Sequence, residues 1–384
     1  MSRINDLIKE LCPRGVRKYV IKDICDVTRG RVISKNELAE NAGDYPVYSS
    51  QTLNNGVFGK INTYDFEGEY VQWTTDGANA GSIFYRNGKF SVTNVCGLLK
   101  IKDEYLGKIK TNYLAYALTM ESKKYVNYAT SNPKLMSNVM ERITVLIPPI
   151  EVQEEIVRIL DKFGELEAEL EAELEARKSQ YEFWRGKLLT SDNNTITLGE
   201  LGKVCMCKRI MKNETSSVGD IPFYKIGTFG KEPDAYISRE LFENYRNRFS
   251  YPKVGDILIS CSGTIGRAVV FDGHDSYYQD SNIVWIDNDE SKVLNKFLYY
   301  IYQMSPWKIE SGGTIQRLYT SNIVKTTIPF YTLEEQQKIV NILDKFDKLV
   351  NDISVGLPAE IEARRKQYEY YRNKLLSFEE VSYE

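Results

Sequence analysis

The stretch EIVRILDKF at residues 155–163 recurs as KIVNILDKF at 338–346, and EARKSQYEFWRGKLL at 175–189 recurs as EARRKQYEYYRNKLL at 362–376. The offsets are 183 and 187 residues, so the second copy carries four extra residues between its two matches. Self-similarity of this kind organises a fold before any local pattern does. Weaker likeness precedes each copy: VIKDICDVTRGRVISKN at 20–36 against TLGELGKVCMCKRIMKN at 197–213, and Ile147-Pro148 against Ile328-Pro329. The chain reads as two similar halves, each a variable domain followed by a similar tail.

Each tail predicts a long helix with an apolar seam. In the first, Ile156, Leu160, Phe163, Leu166, Leu170, Leu174, Tyr181, Trp184 and Leu188 recur at spacings of three, four or seven, the period of a packed helix. In the second, Ile339, Leu343, Phe346, Val350, Ile353, Leu357, Ile361, Tyr368, Tyr371 and Leu375 do the same. Two matching seams can bury each other; the alternative is that each packs on its own domain. Pro148-Pro149 and Pro329 stop the preceding element, and Gly356 with Pro358 predicts a break or kink in the second helix alone. The organisation is a first domain at 1–150, a central helix at 151–189, a second domain at 190–333, a C-terminal helix at 334–377 and an acidic tail at 378–384. The runs YVQW, SIFYR, GDILIS, RAVVF and NIVWID predict strands, while TNYLAYALTM and VLNKFLYYIY predict helices. The fold class is α+β, with two mixed domains and two long helices.

Composition removes several functions. No run of apolar residues is long enough to span a bilayer, and the start MSRINDLIKELCPRG has no leader pattern; a soluble, cytoplasmic protein is expected. Cys12, Cys25, Cys96, Cys205, Cys207 and Cys261 are scattered, and with His274 the one histidine, buried thiols are expected rather than a zinc site. His274, in FDGHDS, reads as a turn residue. The 27 tyrosines, against 15 Phe and 4 Trp, suit contact surfaces as well as packing.

The charge is unevenly placed. Residues 151–189 carry net −5, residues 334–376 net 0 and the tail net −3, which leaves +5 of the overall −3 in the two variable domains, as expected if those domains meet phosphates and the helices do not. The groups that combine a cation with side chains able to reach phosphates or base edges are, in the first domain, Arg29, Arg31 and Lys35; Tyr48, Gln51, Asn54 and Asn55; Trp73, Thr75 and Asn79; and Ser131, Asn132 and Lys134. In the second they are Lys208, Arg209 and Lys212; Ser262, Thr264 and Arg267; Gln279 and Asn282; and Thr314, Gln316 and Arg317. On the tails, Phe183 and Tyr370 occupy matching positions just off the seam, where a large aromatic serves a partner or its own domain.

Two unlike mixed domains, each followed by Ile-Pro, a Glu/Gln-rich helix start, ILDKF and a QYE-containing run, resemble the specificity subunit of type I restriction-modification systems over essentially the whole chain. LIKELCPRGV at the start, the loops SGTIGR and GGTIQRL and the tail through QYEYYRNKLLSF carry the resemblance. It implies two target-recognition domains held apart by an antiparallel helical coiled coil with a pseudo-twofold repeat, each domain reading half of a split duplex DNA sequence. It also implies no catalysis in this chain and no cofactor bound by it. Two methyltransferase subunits would bring S-adenosylmethionine for adenine methylation, and restriction subunits would bring ATP and magnesium for cleavage. The first tail departs from the commonest pattern in Glu151-Val-Gln153 and in the run ELEAELEAELEA at 165–176, which bears on spacing.

The competing classes are a self-contained methyltransferase or nuclease and a coiled-coil adaptor without DNA binding. An amino-methyltransferase needs a (D/N)PP(Y/F) loop. Leu146-Ile-Pro-Pro-Ile150 lacks the acid or amide and Asn132-Pro133-Lys134 lacks the second proline. Asp103 with Glu121-Ser-Lys123 makes only a weak nuclease pattern. An adaptor accounts for the helices but not for two differing domains.

Overall fold

The computed structural model describes residues 2–129, 131–190, 194–307 and 316–381, Ser2 by its backbone alone. The chain forms two compact units, Met1–Leu170 with Ile361–Glu384, and Glu171–Glu360.

In the first unit the strand Arg17–Val20 pairs antiparallel with Thr144–Ile147, Arg17 opposite Ile147, and closes the domain. Between them lies a four-stranded sheet ordered Cys25–Arg29, Cys96–Ile101, Tyr70–Thr74, Ile83–Arg86. A second sheet holds Val57–Ile61, Tyr45–Tyr48, Lys89–Val92 and Phe66–Glu67. The strand Tyr70–Thr74 is buried throughout, the polar Gln72 and Thr74 included. Its Trp73 ring lies flat against Gly97, where an added Cβ would come within 2.1 Å of the indole, so the strand crossing there admits only glycine. The helix Thr111–Glu121 packs on this sheet through Tyr113, Leu114, Ala117 and Leu118.

The second unit repeats the plan with different residues. Thr195–Thr197 pairs antiparallel with Thr327–Pro329. The main sheet runs Val204–Met206, Ile283–Ile286, Ile257–Ser260, Ala268–Val270. The helix Asn295–Gln303 buries Phe297, Leu298, Tyr300, Ile301 and Tyr302. The predicted strands and both predicted domain helices are present.

The first tail is one helix, Ile150–Leu188. The second is two, Leu333–Asn351 and Leu357–Leu376. The expected kink is therefore a full break, and its cause lies slightly upstream of Gly356. The Asp352 carboxylate accepts from the Ser354 and Val355 backbone N–H groups at 2.7 and 3.3 Å, a local turn that competes with the helix. Gly356 then passes so close to the preceding turn that a Cβ would meet the Lys348 and Asp352 carbonyls at 2.6 Å. As a result Ile353, expected in the seam, is 85% exposed.

Each unit combines its own domain with pieces of both tails. In the first, Val152, Ile156, Val157 and Leu160 share a core with Leu375, and Tyr368 and Tyr371 pack beside it. Phe163 stacks on Tyr371 at 5.6 Å and Arg365 pairs with Glu167 at 2.6 Å, so the two segments run in opposite directions. In the second unit Tyr181 and Leu189 join Ile339, Val340, Leu343 and Val350, with Phe346 set 6.2 Å from Tyr181. The seams thus meet residues of the other tail and of a domain as well. The C-terminal segment is also built in: Val16 N–H donates to the Glu379 carbonyl at 2.8 Å and Lys18 pairs with Glu380. Among the described residues no helix is long and apolar enough to cross a membrane.

Candidate nucleic-acid interface

In the first unit, four loops far apart in sequence meet at one end of the main sheet. Arg29, at the end of its strand, donates to the Thr75 hydroxyl at 3.0 Å and to the Asn94 carbonyl at 2.6 Å. The Thr75 hydroxyl donates to the Asp76 carboxylate at 2.6 Å, and Asp76 lies 3.6 Å from the Lys134 ammonium. The Asn79 amide donates to the Ser50 carbonyl at 3.0 Å, and Thr93 donates to the Ser49 hydroxyl at 2.9 Å. Gln51 donates to the Val57 carbonyl across its own loop. At the tip of that loop Asn54 and Asn55 both adopt positive φ, a conformation that asparagine tolerates better than most residues. Ser131, Asn132 and Lys134 are exposed, and Lys134 is held beside Asp76 by a backbone bridge.

Two first-domain expectations are corrected. Trp73 is wholly buried, its indole N–H donating to the Leu135 carbonyl at 3.0 Å, and Thr75 is buried beneath Arg29; neither side chain is at the surface, and both hold the surrounding loops in place. Arg31 pairs with Glu37 at 2.6 Å and Asp65 at 3.1 Å and stays exposed, as Arg209 does beside Asp280 in the second unit. Lys35, at the start of the helix Lys35–Glu40, is exposed and has no partner among the described residues.

A residue that the sequence did not single out underlies the same loop. Arg86 is buried with no carboxylate paired to it among the described residues. Its guanidinium sits 3.6 Å above the Tyr48 ring and 4.5 Å from that of Phe84. It donates to the Gln72 side-chain oxygen at 2.7 Å and to the Asn55 carbonyl at 2.9 Å. Burial lowers its pKa to about 10, so it remains a cation held by neutral acceptors and ring faces. The only sequence signal was an arginine ending an apolar run, which ordinarily marks a strand leaving the core.

The second unit gathers its loops in the same way. Arg209 pairs with Asp280 at 2.8 Å. The Gln279 side-chain oxygen accepts from Ile226 N–H at 3.0 Å, and Ser262 donates to Asn282 at 3.0 Å. Arg267 donates to the Phe229 carbonyl at 2.6 Å and approaches the exposed Thr264 hydroxyl. Arg317 donates to the Ser281 carbonyl and hydroxyl at 2.8 and 2.9 Å. Gln316 is exposed next to it, and Thr314 lies outside the described residues. Lys208 sits over the Phe249 ring and Lys212 is exposed; among the described residues no contact ties either ammonium to the cluster.

On the tails, Phe183 and Tyr370 are each 61% exposed, each edge-on to the ring that follows it, Trp184 or Tyr371.

The family described as the type I restriction modification DNA specificity domain matches twice, over residues 13–176 and 190–363. The chain belongs to this family. A putative type I restriction enzyme specificity subunit of Haemophilus influenzae is 49% identical over 350 residues, 88% of this chain and 89% of that protein. A putative type I specificity subunit of Mycoplasma pneumoniae is 37% identical over 371 residues, 94% and 98% of the two chains. The crystal structure of a type I restriction-modification S subunit from M. genitalium shares the fold, with a TM-score of 0.57 at 15% identity over 94% of this chain and 96% of that one.

In this specificity subunit the two matched domains are the two loop-bearing domains described above. Among the described residues no three His, Cys, Asp or Glu side chains cluster in a way that could hold a metal. Five of the six cysteines are buried and all are unpaired; burial raises the Cys25 and Cys207 thiols to about 12, far from the thiolate form that chemistry would need. His274 is exposed on a turn beside Asp272. Replacing Arg86 by Met should leave the buried Gln72 side-chain oxygen unpaired, at about 1–3 kcal/mol, free the Asn55 carbonyl of its loop, and relax base choice in one half of the target. Mapping the methylated motif of the assembled complex checks this: an unchanged motif together with a lowered melting temperature would limit Arg86 to a structural role.

Proposed function

We propose that the chain reads a bipartite duplex DNA target, one half with each loop cluster, while its tails set the distance between the halves and dock methyltransferase subunits. The observation that carries this reading is the gathering of Arg29, Asn79 and Lys134 in one domain, and of Arg209, Arg267 and Arg317 in the other, each at a single end of a sheet. Cations and amides on loops held by a rigid sheet are the means by which proteins track phosphates and read base edges. The clusters differ in sequence while the tails match, as two different half-sites served by one kind of partner require. Phe183 and Tyr370 suit that partner, since exposed aromatics at matching positions on both tails offer the same anchor twice. The chain performs no chemistry itself; S-adenosylmethionine belongs on the methyltransferase subunits, and ATP and magnesium on the restriction subunits.

Co-expression with the methyltransferase subunit tests the reading. Methylation of one split motif is expected, with no methyl transfer by the purified chain alone. Phe183→Ala combined with Tyr370→Ala should weaken co-purification at least about tenfold, the loss of two anchors. Unchanged co-purification places docking elsewhere, and methyl transfer by the chain alone overturns the non-catalytic reading.

A further inference from the structure

The repeated helix start contains two polar residues that the seam does not use, and both make the same contacts in each copy. Gln153 is fully buried; its side-chain oxygen accepts from Lys110 N–H at 2.9 Å, and its amide donates to the Lys108 and Pro148 carbonyls, both at 2.8 Å. Gln336, also fully buried, accepts from Leu294 N–H at 2.8 Å and donates to the Lys292 and Tyr331 carbonyls at 2.9 and 2.8 Å. Lys110 and Leu294 immediately precede the domain helices Thr111–Glu121 and Asn295–Gln303, neither of which has a side-chain cap. Eight residues beyond each glutamine along the tail helix, Asp161 accepts from the Tyr116 hydroxyl at 2.6 Å and Asp344 accepts from the Tyr300 hydroxyl. Each tail helix therefore grips its domain helix at two points, about 12 Å apart along its axis.

The apolar contacts around these points hold each domain on its tail, but apolar packing has no preferred direction. Hydrogen bonds do, and two of them spaced along an axis prevent both sliding and rolling. A roll of about 35° equals the helical phase of one DNA base pair. We propose that Gln153 with Asp161, and Gln336 with Asp344, are positioning residues that fix the rotation of each recognition domain about its tail helix and so confine the complex to one spacer length. The proposal rests on the specificity-subunit reading and assigns a role to the part of the repeat that recognition and docking leave unexplained.

The test uses the full chain assembled with methyltransferase subunits, with methylation rates measured on duplexes whose spacer is native, one base pair shorter or one longer. Tyr116→Phe and Tyr300→Phe each remove one oxygen and keep the ring packing; Asp161→Ala and Gln153→Leu are the stronger variants, and Asp161→Asn retains an acceptor. In the Phe and Ala variants the preference for the native spacer should fall about tenfold, the weight of one charge-assisted hydrogen bond. Gln153→Leu, which removes three neutral hydrogen bonds, should lower it at least as far, and in all of these variants the bases of both half-sites should be unchanged. Asp161→Asn should recover most of that preference. A uniform fall in all three rates, a preference unchanged in the folded Phe variants, or a change in base identity would each overturn the proposal. If the unaltered complex shows no fixed spacer at all, the bipartite reading fails first and takes the proposal with it.

Discussion

One more Leu-Glu-Ala-Glu unit inserted after Glu173 should lengthen the target spacer by one base pair and leave both half-sites unchanged. The insertion falls inside the unbroken helix Ile150–Leu188, within the run at 165–176 whose glutamates and alanines favour helix and whose Leu166, Leu170 and Leu174 are half-buried. Four residues add about 6 Å of rise and, at about 100° per residue, leave a rotation of about 40°. One base pair is about 3.4 Å and about 35°. With the helix along the DNA axis, rise alone would permit nearly two base pairs, but the rotation that turns the second domain into its groove matches one. The prediction requires the second tail to take up the added length, and the turn at 352–356, where that tail is interrupted, is the place to do so. Mapping the methylated motif decides the matter: an active complex with the original spacer would show that this helix does not set the distance.

Exchanging residues 17–147 for the equivalent segment of a relative should replace one half of the methylated motif completely, with methylation of the original target lost and the other half and the spacer retained. The closing strands make this a natural cassette. Arg17 and Ile147 are direct partners, so both junctions fall at one place, and the cluster from Arg29 to Lys134 lies wholly between them. Ending at 147 also leaves Gln153 on the retained helix. The incoming segment should keep a cation at position 18, since Lys18 pairs with Glu380 of the C-terminal segment. A motif altered in both halves would contradict the modular reading.

The duplication, the domain elements and the loop segments were legible in the sequence alone, because each is written in local signals. The repeat is a matter of identity between two stretches, TNYLAYALTM and VLNKFLYYIY carry helical patterns, and the polar Gly/Asn/Ser-rich groups mark loops. The sequence did not determine which residues within those loops face outward. Trp73 and Thr75 have the chemistry of DNA contacts, yet both are buried. The side chains that hydrogen-bond to bases are the same ones that satisfy loop backbones, and composition cannot separate the two uses. Arg86 was missed for the converse reason, since its burial depends on Tyr48 and Gln72 arriving from two other strands to join Phe84 of its own. Gly356 and Pro358 announced an interruption in the second tail, but its position at Asp352 came from a side chain capturing its own backbone. Only the tertiary structure decided that each unit is completed by pieces of both tails, with Phe163 on Tyr371 and Tyr181 by Phe346. An apolar seam is equally satisfied by any complementary surface, and the choice among surfaces rests on packing that forms only when distant segments meet.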